Sequence, residues 1–393
     1  MKRRTRIAFP PLLLLSAESH SDILKRQVRT IGSFEQATSQ AAPHQSATVP
    51  LRLLLLFFLF FFICCGLGYP SLNRVDWRRP NGGLDDVQTY AALVTAPPQP
   101  DLNDHMQFRV LIPYLARPFY HLAKNRLGTW DPVMFGLLVA NALCVAATVT
   151  ALLLVICRRL GSYTVALGSA LFYLLNFAVP NLRLVGLVDA GEALFLMLVV
   201  WSLSEQRYWT LPIWAILGAT AKESFVPFMI VFTFSWWLCS TKALRRRASP
   251  AAWMVASWFA ALASLTVLQW SITGVYRSPL QFGLGMHRNT AYLAHFLASL
   301  QDHDMWYTAC WLLPLSLFRL KRLPREWRAA TAITCISAFA LDAYYGGDPG
   351  TIGRALFSIA GPLLSASVAL FLFAPASPEK PNPVSRTVDA GSA

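Results

Sequence analysis

Two adjacent carboxylates stand in a polar stretch of the chain where they are free to act on protons. Asp85 and Asp86 follow turn-forming residues at 81–83, and Tyr90 comes about one helical turn later. A carboxylate in such a place can take a proton from an acceptor hydroxyl, which is general-base chemistry. The same two residues also suit capping a helix start and pairing with its dipole, a common use of adjacent carboxylates. The residues alone leave both interpretations open.

A lone arginine lies inside an apolar, amphipathic segment farther along the chain. Arg109 needs an anion, a carboxylate or the water layer as its partner there. Phosphate is a natural ligand of the planar guanidinium group. The alternative is that the long side chain extends to lipid headgroups while its stem lies on apolar surface.

Four further ionisable residues interrupt the apolar runs in the middle of the sequence. Asp189 and Glu192 are three residues apart, so they share one face of a helix, and Lys222 and Glu223 are adjacent. Such groups cost several kcal/mol if lipid surrounds them, so they are expected to face the bundle interior or a watery cavity. Mutual salt bridging is the alternative to a catalytic or binding function.

Polar segments in the last third of the chain add more candidates. His287 and Arg288 form one pair, and Asp348 precedes Arg354 at the start of an apolar run. The sequence Asp-His-Asp at 302–304 has side chains able to ligate a divalent metal, although the spacing is not specific for one. A metal requirement therefore stays open.

Composition identifies the kind of protein that must position these residues. Hydrophobic residues make up 55% of the 393 residues and charged residues only 14%. An average soluble domain has roughly 25% charged residues, so this chain has too little polar surface for a soluble fold. The cysteines fall in or beside apolar runs and form no CxxC pair. The sequence therefore predicts a polytopic membrane protein and excludes a soluble enzyme or a disulfide-rich domain.

Apolar runs long enough to cross a bilayer recur along the chain, since a spanning helix needs about 20 apolar residues. The predicted spans are Leu51–Leu67, Val133–Cys157, Tyr163–Pro180, Leu184–Leu203, Ala251–Thr273, Trp306–Phe318, Ala329–Ala343 and Ala355–Phe373. A longer run, Trp209–Leu238, is interrupted by charges and is predicted to cross twice. Two crossings keep the basic loops at 242–247 and 319–328 in the cytosol, as the positive-inside rule requires. The prediction is about ten spans with both termini cytoplasmic.

This topology predicts an all-α helix bundle over residues 51–373, flanked by disordered cytosolic tails at 1–50 and 374–393. It places most basic residues inside, so the net charge of +14 reflects orientation and contact with membrane lipids rather than nucleic-acid binding. It also gives a long first outer loop, with two amphipathic surface helices predicted at Val87–Thr95 and Met106–Asn125. The acidic candidates then lie on the outer face, where a base beside cations suits transfer from a lipid phosphate.

The order of these motifs resembles the GT-C superfamily of integral membrane glycosyltransferases, which use polyprenyl-phosphate-linked sugars. The acidic pair with Tyr90 precedes Arg109-x-Leu-x-Pro113, and a helix ending in Gly218-Ala-Thr-Ala-Lys222-Glu223 follows. Asp348 and Arg354 then lead into a span containing Gly361-Pro362. The resemblance covers roughly residues 51–373.

The resemblance implies an inverting transfer of a sugar to a lipid or envelope glycan acceptor on the periplasmic face of a bacterial inner membrane. Asp85 or Asp86 would be the general base, and Arg109, Lys222 and Arg354 would hold the donor phosphate. The remaining polar candidates would support them: Tyr90, Asp189, Glu192, Glu223, His287, Arg288 and Asp348.

Other classes of membrane protein compete with this interpretation. A secondary transporter would place its charges near mid-membrane in two related halves. An O-antigen polymerase or ligase would also face the periplasm, and a non-enzymatic assembly factor would need the charges only as salt bridges. The enzyme hypothesis predicts that Asp85 or Asp86, Arg109, Lys222 and Arg354 converge around one cavity.

Overall fold

Helices form every regular element in the residues that the computed structural model describes, which are 48–74, 76–78, 85–98, 105–126, 128, 130–276, 291–345 and 350–374. The predicted all-α class is therefore confirmed over these ranges. The chain divides into Met1–Leu54, described only from Thr48, and a compact unit from Leu55 onward.

Sixteen α-helices are numbered here in chain order over the described ranges. The first eight are α1 Thr48–Gly68, α2 Ser71–Arg74, α3 Asp85–Thr95, α4 Leu111–Ala123, α5 Pro132–Leu160, α6 Tyr163–Leu174, α7 Asp189–Ser204 and α8 Leu211–Ala221. The others are α9 Phe225–Cys239, α10 Lys242–Arg245, α11 Ala248–Thr273, α12 Tyr292–Leu300, α13 His303–Ala309, α14 Leu312–Leu317, α15 Arg325–Tyr345 and α16 Thr351–Phe373. Single turns of tighter or wider helix lie at His105–Phe108, Val179–Arg183, Tyr208–Thr210 and Leu320–Arg322.

Four helical segments in the described ranges are long and apolar enough to cross a membrane: Leu51–Arg74, Pro132–Leu160, Ala248–Thr273 and Thr351–Phe373. The segments α5 and α16 are mostly buried by other helices. In contrast, α11 buries one narrow stripe that includes Met254, Ala261 and Leu265 and exposes the rest. This difference indicates that α5 and α16 form the centre of the bundle, whereas α11 lies at its margin.

The break predicted at Lys222 and Glu223 is confirmed, because α8 ends at Ala221 and α9 begins at Phe225. Lys222 has an extended backbone, which turns the chain between the two helices. Gly218 permits this turn, since a Cβ there would overlap the ring of Phe225. The apolar run therefore forms two short helices that meet at the charges.

Other predicted spans differ from the observed helices. The single helix predicted over Trp306–Phe318 is wrong: this segment holds parts of α13 and α14 with a turn between them. The span predicted over Tyr163–Pro180 ends early, at Leu174. Asn176 explains the early end, because its side chain accepts a hydrogen bond from the amide of Ala178 and donates one to the carbonyl of Thr308.

The same interruption delays the next helix. The span predicted to begin at Leu184 begins instead at Asp189, after the wide helical turn Val179–Arg183. Pro180 stands in that turn and has no amide hydrogen for an ordinary helical bond. The consequence is a stretch of irregular backbone next to the buried ends of α7 and α16, where side chains can converge.

A helix is present over the predicted segment Val87–Thr95, as α3, while its location on the membrane surface stays a prediction. The segment predicted as one helix over Met106–Asn125 is broken. A short turn, His105–Phe108, precedes α4, and Arg109 lies between them. Arg117 of α4 donates hydrogen bonds to the carbonyls of Leu93 and Ala96 at the end of α3. This capping contact fixes α3 on α4, which packs in turn against α5.

Candidate active site

Eight ionisable side chains from widely separated parts of the sequence converge where α3, α7, the α8–α9 turn and α16 meet. We call this set the charge cluster. Its four carboxylates and four cations are Asp86, Asp189, Glu192, Glu223, Arg109, Arg183, Lys222 and Arg354. The side chains of Asp86, Arg109, Lys222 and Arg354 therefore lie together, as expected, while a shared outer cavity and their functions stay predictions.

The charge cluster has two halves, and Arg354 contacts a carboxylate of each. The outer half, nearer to solvent, contains Asp86, Arg109 and Glu223, and the inner half contains Asp189, Glu192, Lys222 and Arg183. Arg354 lies in the first turn of α16, where its Nη1 is 3.3 Å from Oδ2 of Asp86 and 3.6 Å from Oδ2 of Asp189. Its Nε donates to the carbonyl oxygen of Gly350, one helical turn earlier. Gly350 has φ 91°, a conformation that favours glycine and that starts the helix in this direction.

Arg109 holds the outer half together. It forms a two-point ion pair with Glu223 and donates from Nη1 to the hydroxyl of Tyr90, while the same Nη1 is 4.0 Å from Oδ2 of Asp86. Burial alone would lower the pKa of Arg109, but the charge of Glu223 raises it well above its usual value. Burial also raises the pKa of Tyr90, so its hydroxyl stays protonated at neutral pH.

Lys222 holds the inner half together. Its Nζ is 2.6 Å from Oδ1 of Asp189 and 3.7 Å from Oε2 of Glu192. Glu192 also accepts hydrogen bonds from the hydroxyls of Ser224 and Ser358. Both carboxylates lie in the first turn of α7, where the positive end of the helix dipole favours them.

Arg183 is a member of the charge cluster that the sequence reasoning missed. Its Nη2 donates 2.7 Å hydrogen bonds to the carbonyl oxygen of Arg354 and to the hydroxyl of Ser358, and its Nη1 donates to the carbonyl oxygen of Asp189. The guanidinium also lies over the ring of Phe357, 5.6 Å from its centroid. A single arginine between two apolar runs was the available signal, because such a charge is costly unless it is buried with partners.

Access to the charge cluster is uneven. The side chain of Asp86 is 27% exposed and that of Arg354 is 13% exposed, whereas Asp189 is 2% exposed. The side chain of Glu223 is 17% exposed, so solvent reaches the cluster from the side of Asp86, Glu223 and Arg354. A carboxylate and a guanidinium at this opening can accept a proton and hold an anion, respectively.

Some predicted site residues fall elsewhere. Asp85 is the first residue of α3, and its side chain lies outside the described part of the structure. His287, Arg288 and Asp348 also lie outside the described residues. Their predicted functions stay predictions, as do those of the residues in the charge cluster.

The described residues contain no group of three or more His, Cys, Asp or Glu side chains arranged to hold a metal ion. The predicted metal candidate at 302–304 has a different contact pattern. Asp302 caps α13 by accepting a hydrogen bond from the amide of Asp304, and it also accepts one from the amide of Gly353. Asp302 thereby ties α13 to the start of α16.

Comparisons of this chain with protein families, with curated proteins and with solved structures gave no match.

Proposed function

We propose that this protein is a membrane glycosyltransferase of the GT-C kind, which moves a sugar from a polyprenyl-phosphate donor to a lipid or envelope glycan acceptor. The observation that carries the proposal is the position of Asp86. This partly exposed carboxylate lies beside Arg354 and Arg109, at the open side of an otherwise buried charge cluster. A proton acceptor next to an anion site is what transfer from a sugar phosphate to a hydroxyl requires.

In the proposed reaction, Asp86 removes the proton from the acceptor hydroxyl. The acceptor oxygen attacks the anomeric carbon as the bond between that carbon and the phosphate oxygen breaks. The electron pair of the broken bond leaves with the polyprenyl phosphate, which Arg354 and Lys222 would stabilise. A single displacement of this kind inverts the anomeric centre and needs no covalent sugar–enzyme intermediate.

Arg109 has a different part in the proposal. Its nitrogens already bind Glu223 and Tyr90, so it is better placed to orient Asp86 than to receive a phosphate directly. Lys222 is 11% exposed and is shared by Asp189 and Glu192, which leaves Arg354 as the cation nearest the opening. The predicted topology of about ten spans, with this face in the periplasm of a bacterial inner membrane, belongs to the same proposal.

The test is transfer of a labelled sugar from polyprenyl-phosphate donors in membranes that contain the full chain. We expect Asp86→Asn to lower transfer by about 100-fold or more while expression and membrane insertion stay normal. Glu205→Gln is the matched control, because it removes a carboxylate whose partner is Arg158, away from the charge cluster. Asp85→Asn decides which acid of the pair is the base. Full activity in both single variants and in the double variant would refute the base assignment.

A further inference from the structure

One oxygen of Asp86 faces the guanidinium groups of both Arg354 and Arg109. Its Oδ2 is 3.3 Å from Nη1 of Arg354 and 4.0 Å from Nη1 of Arg109. An acceptor hydroxyl that approaches this oxygen must share it with the two guanidinium groups, although a carboxylate can accept more than one hydrogen bond. A group that draws Arg354 away from Oδ2 would open this position to the hydroxyl.

The charge balance of the cluster identifies what the displacing group must be. The four carboxylates match the four cations, so the cluster has no net formal charge. An incoming phosphate adds negative charge, and a buried excess of negative charge is costly. Binding therefore costs least where the phosphate takes over a cation from a carboxylate that solvent can hydrate.

Asp86 is the carboxylate that can move most easily. Asp189 and Glu192 are almost fully buried, and Lys222 holds both of them. Glu223 is held at two points by Arg109. The shortest ion pair of Asp86, 3.3 Å, is longer than those of Asp189 and Glu223, and Asp86 has the largest exposed fraction among the four carboxylates.

Arg354 is also able to receive the phosphate. Its Nε and Nη1 bind protein acceptors, but its Nη2 has no hydrogen bond or ion pair within the described ranges. A guanidinium group binds a phosphate best at two nitrogens, and here release of Asp86 would supply the second one. The phosphate would then replace the carboxylate of Asp86 at Arg354.

We infer that Asp86 occupies the phosphate position on Arg354 in the substrate-free protein, and that the donor phosphate displaces it. This inference rests on the proposed function and adds an order in which donor and acceptor bind. The donor binds first, and its phosphate frees Oδ2 of Asp86 to accept the proton of the acceptor hydroxyl. No proton leaves the acceptor until a donor is in place.

Binding of phosphate monoesters to the purified full-length protein tests the exchange without any transfer reaction. The probe is farnesyl monophosphate, titrated by calorimetry in detergent, with inorganic phosphate as a second probe. We expect Asp86→Asn to bind farnesyl monophosphate about tenfold more tightly, because Arg354 then has lost the more exposed of its two carboxylate partners. Asp86→Glu keeps the competing charge and is expected to gain less affinity than Asp86→Asn, whereas the control Glu205→Gln is expected to bind as the wild type does.

The comparison between probes identifies the source of binding. An equal gain for inorganic phosphate means that the phosphate group alone displaces Asp86, whereas a gain limited to farnesyl monophosphate means that the lipid chain is needed to position it. Either result supports the exchange. Unchanged or weaker binding in a folded Asp86→Asn protein, or no binding to any variant, would overturn it.

The outcome is separable from that of the proposed function. A gain in phosphate binding without sugar transfer would retain the exchange and reject the glycosyltransferase. Sugar transfer that depends on Asp86, with no gain in binding, would retain the enzyme and reject the exchange. Thermal unfolding of Asp86→Asn shows whether a missing gain comes from misfolding.

Discussion

Arg183 donates a hydrogen bond of 2.7 Å from Nη2 to the main-chain carbonyl oxygen of Arg354. The bond joins the wide helical turn before α7 to the first turn of α16, so it sets the position of the backbone that presents Arg354 to Asp86. The same guanidinium binds the main chain of Asp189. Arg183 is thus a positioning residue for both halves of the charge cluster.

Replacing Arg183 is expected to destabilise the folded protein strongly. Arg183→Met removes a fully buried cation together with its hydrogen bonds to two main-chain carbonyls and to the hydroxyl of Ser358. Loss of one partner from a buried ionic network costs about 3 kcal/mol of the free energy of unfolding. The measurement is unfolding of the detergent-solubilised full chain.

The matched control for this change is Arg158→Met, which breaks an ion pair between Glu205 and an arginine that is 49% exposed. Exposed pairs contribute about 0–1 kcal/mol, so the control should unfold nearly as the wild type does. Equal stability of Arg183→Met and Arg158→Met would contradict the positioning function.

Arg117 is expected to control the orientation of α3, the helix that holds Asp86. Its guanidinium binds two carbonyl oxygens, those of Leu93 and Ala96. Arg117→Lys keeps the charge but cannot reach both acceptors with the same planar geometry. We expect a loss of about 1 kcal/mol of stability and a larger proportional loss of sugar transfer.

Arg126→Lys, at an exposed position after α4, is the control for that comparison. If Arg117→Lys lowers stability without affecting transfer, then the contact supports the fold but does not orient Asp86.

The sequence was informative where a local pattern determined the structure. The break between two short helices at Lys222 and Glu223 was predicted correctly, because two crossings keep the following basic loops in the cytosol. The amphipathic pattern of Val87–Thr95 likewise predicted α3. The proximity of Asp86 to Arg354 was expected from the enzyme hypothesis and not from any local pattern.

Features that depend on tertiary contacts were not predictable in the same way. The helix end at Leu174 depends on a hydrogen bond from Asn176 to Thr308, which is 132 residues away in the sequence. The bonds of Arg183 to Arg354 span an even longer separation, and nothing in the apolar run around Arg183 indicates its partners. Which cations pair with which carboxylates is likewise fixed by packing rather than by spacing.

Tyr90 is expected to contribute to stability in a pH-dependent way. Burial raises the pKa of its hydroxyl in the folded protein above the usual value of about 10. The protonated form is therefore favoured by folding, and the contribution is complete below pH 10. It decreases as the pH rises above 10, because the unfolded chain ionises first.

The measurement is the difference in unfolding free energy between the wild type and Tyr90→Phe, which cancels the titration of all other groups. We expect a constant difference of about 1 kcal/mol between pH 7 and 9, from the lost hydrogen bond with Arg109, and a smaller one at pH 10.5. A difference that grows above pH 10 would show that the folded state favours the ionised hydroxyl.

The proposed topology predicts opposite sides of the membrane for two exposed positions. Position 126 follows α4 in the first long loop, which is predicted to be periplasmic, and position 243 lies in the basic loop between α9 and α11, which is predicted to be cytoplasmic. Arg126→Cys and Ala243→Cys are each introduced into a chain whose seven cysteines have been replaced. In intact cells, a membrane-impermeant maleimide is expected to label position 126 only, and permeabilised cells should show labelling of both.

This labelling also tests the basis of the orientation. The assignment depends on the two crossings of Trp209–Leu238, which place Lys242 and the arginines after it in the cytosol, where basic loops are retained. If position 243 is labelled in intact cells and position 126 is not, the chain is inverted and the charge cluster faces the cytosol. Labelling of both positions in intact cells would instead mean that the chain crosses the membrane an even number of times between them, and not an odd number as predicted.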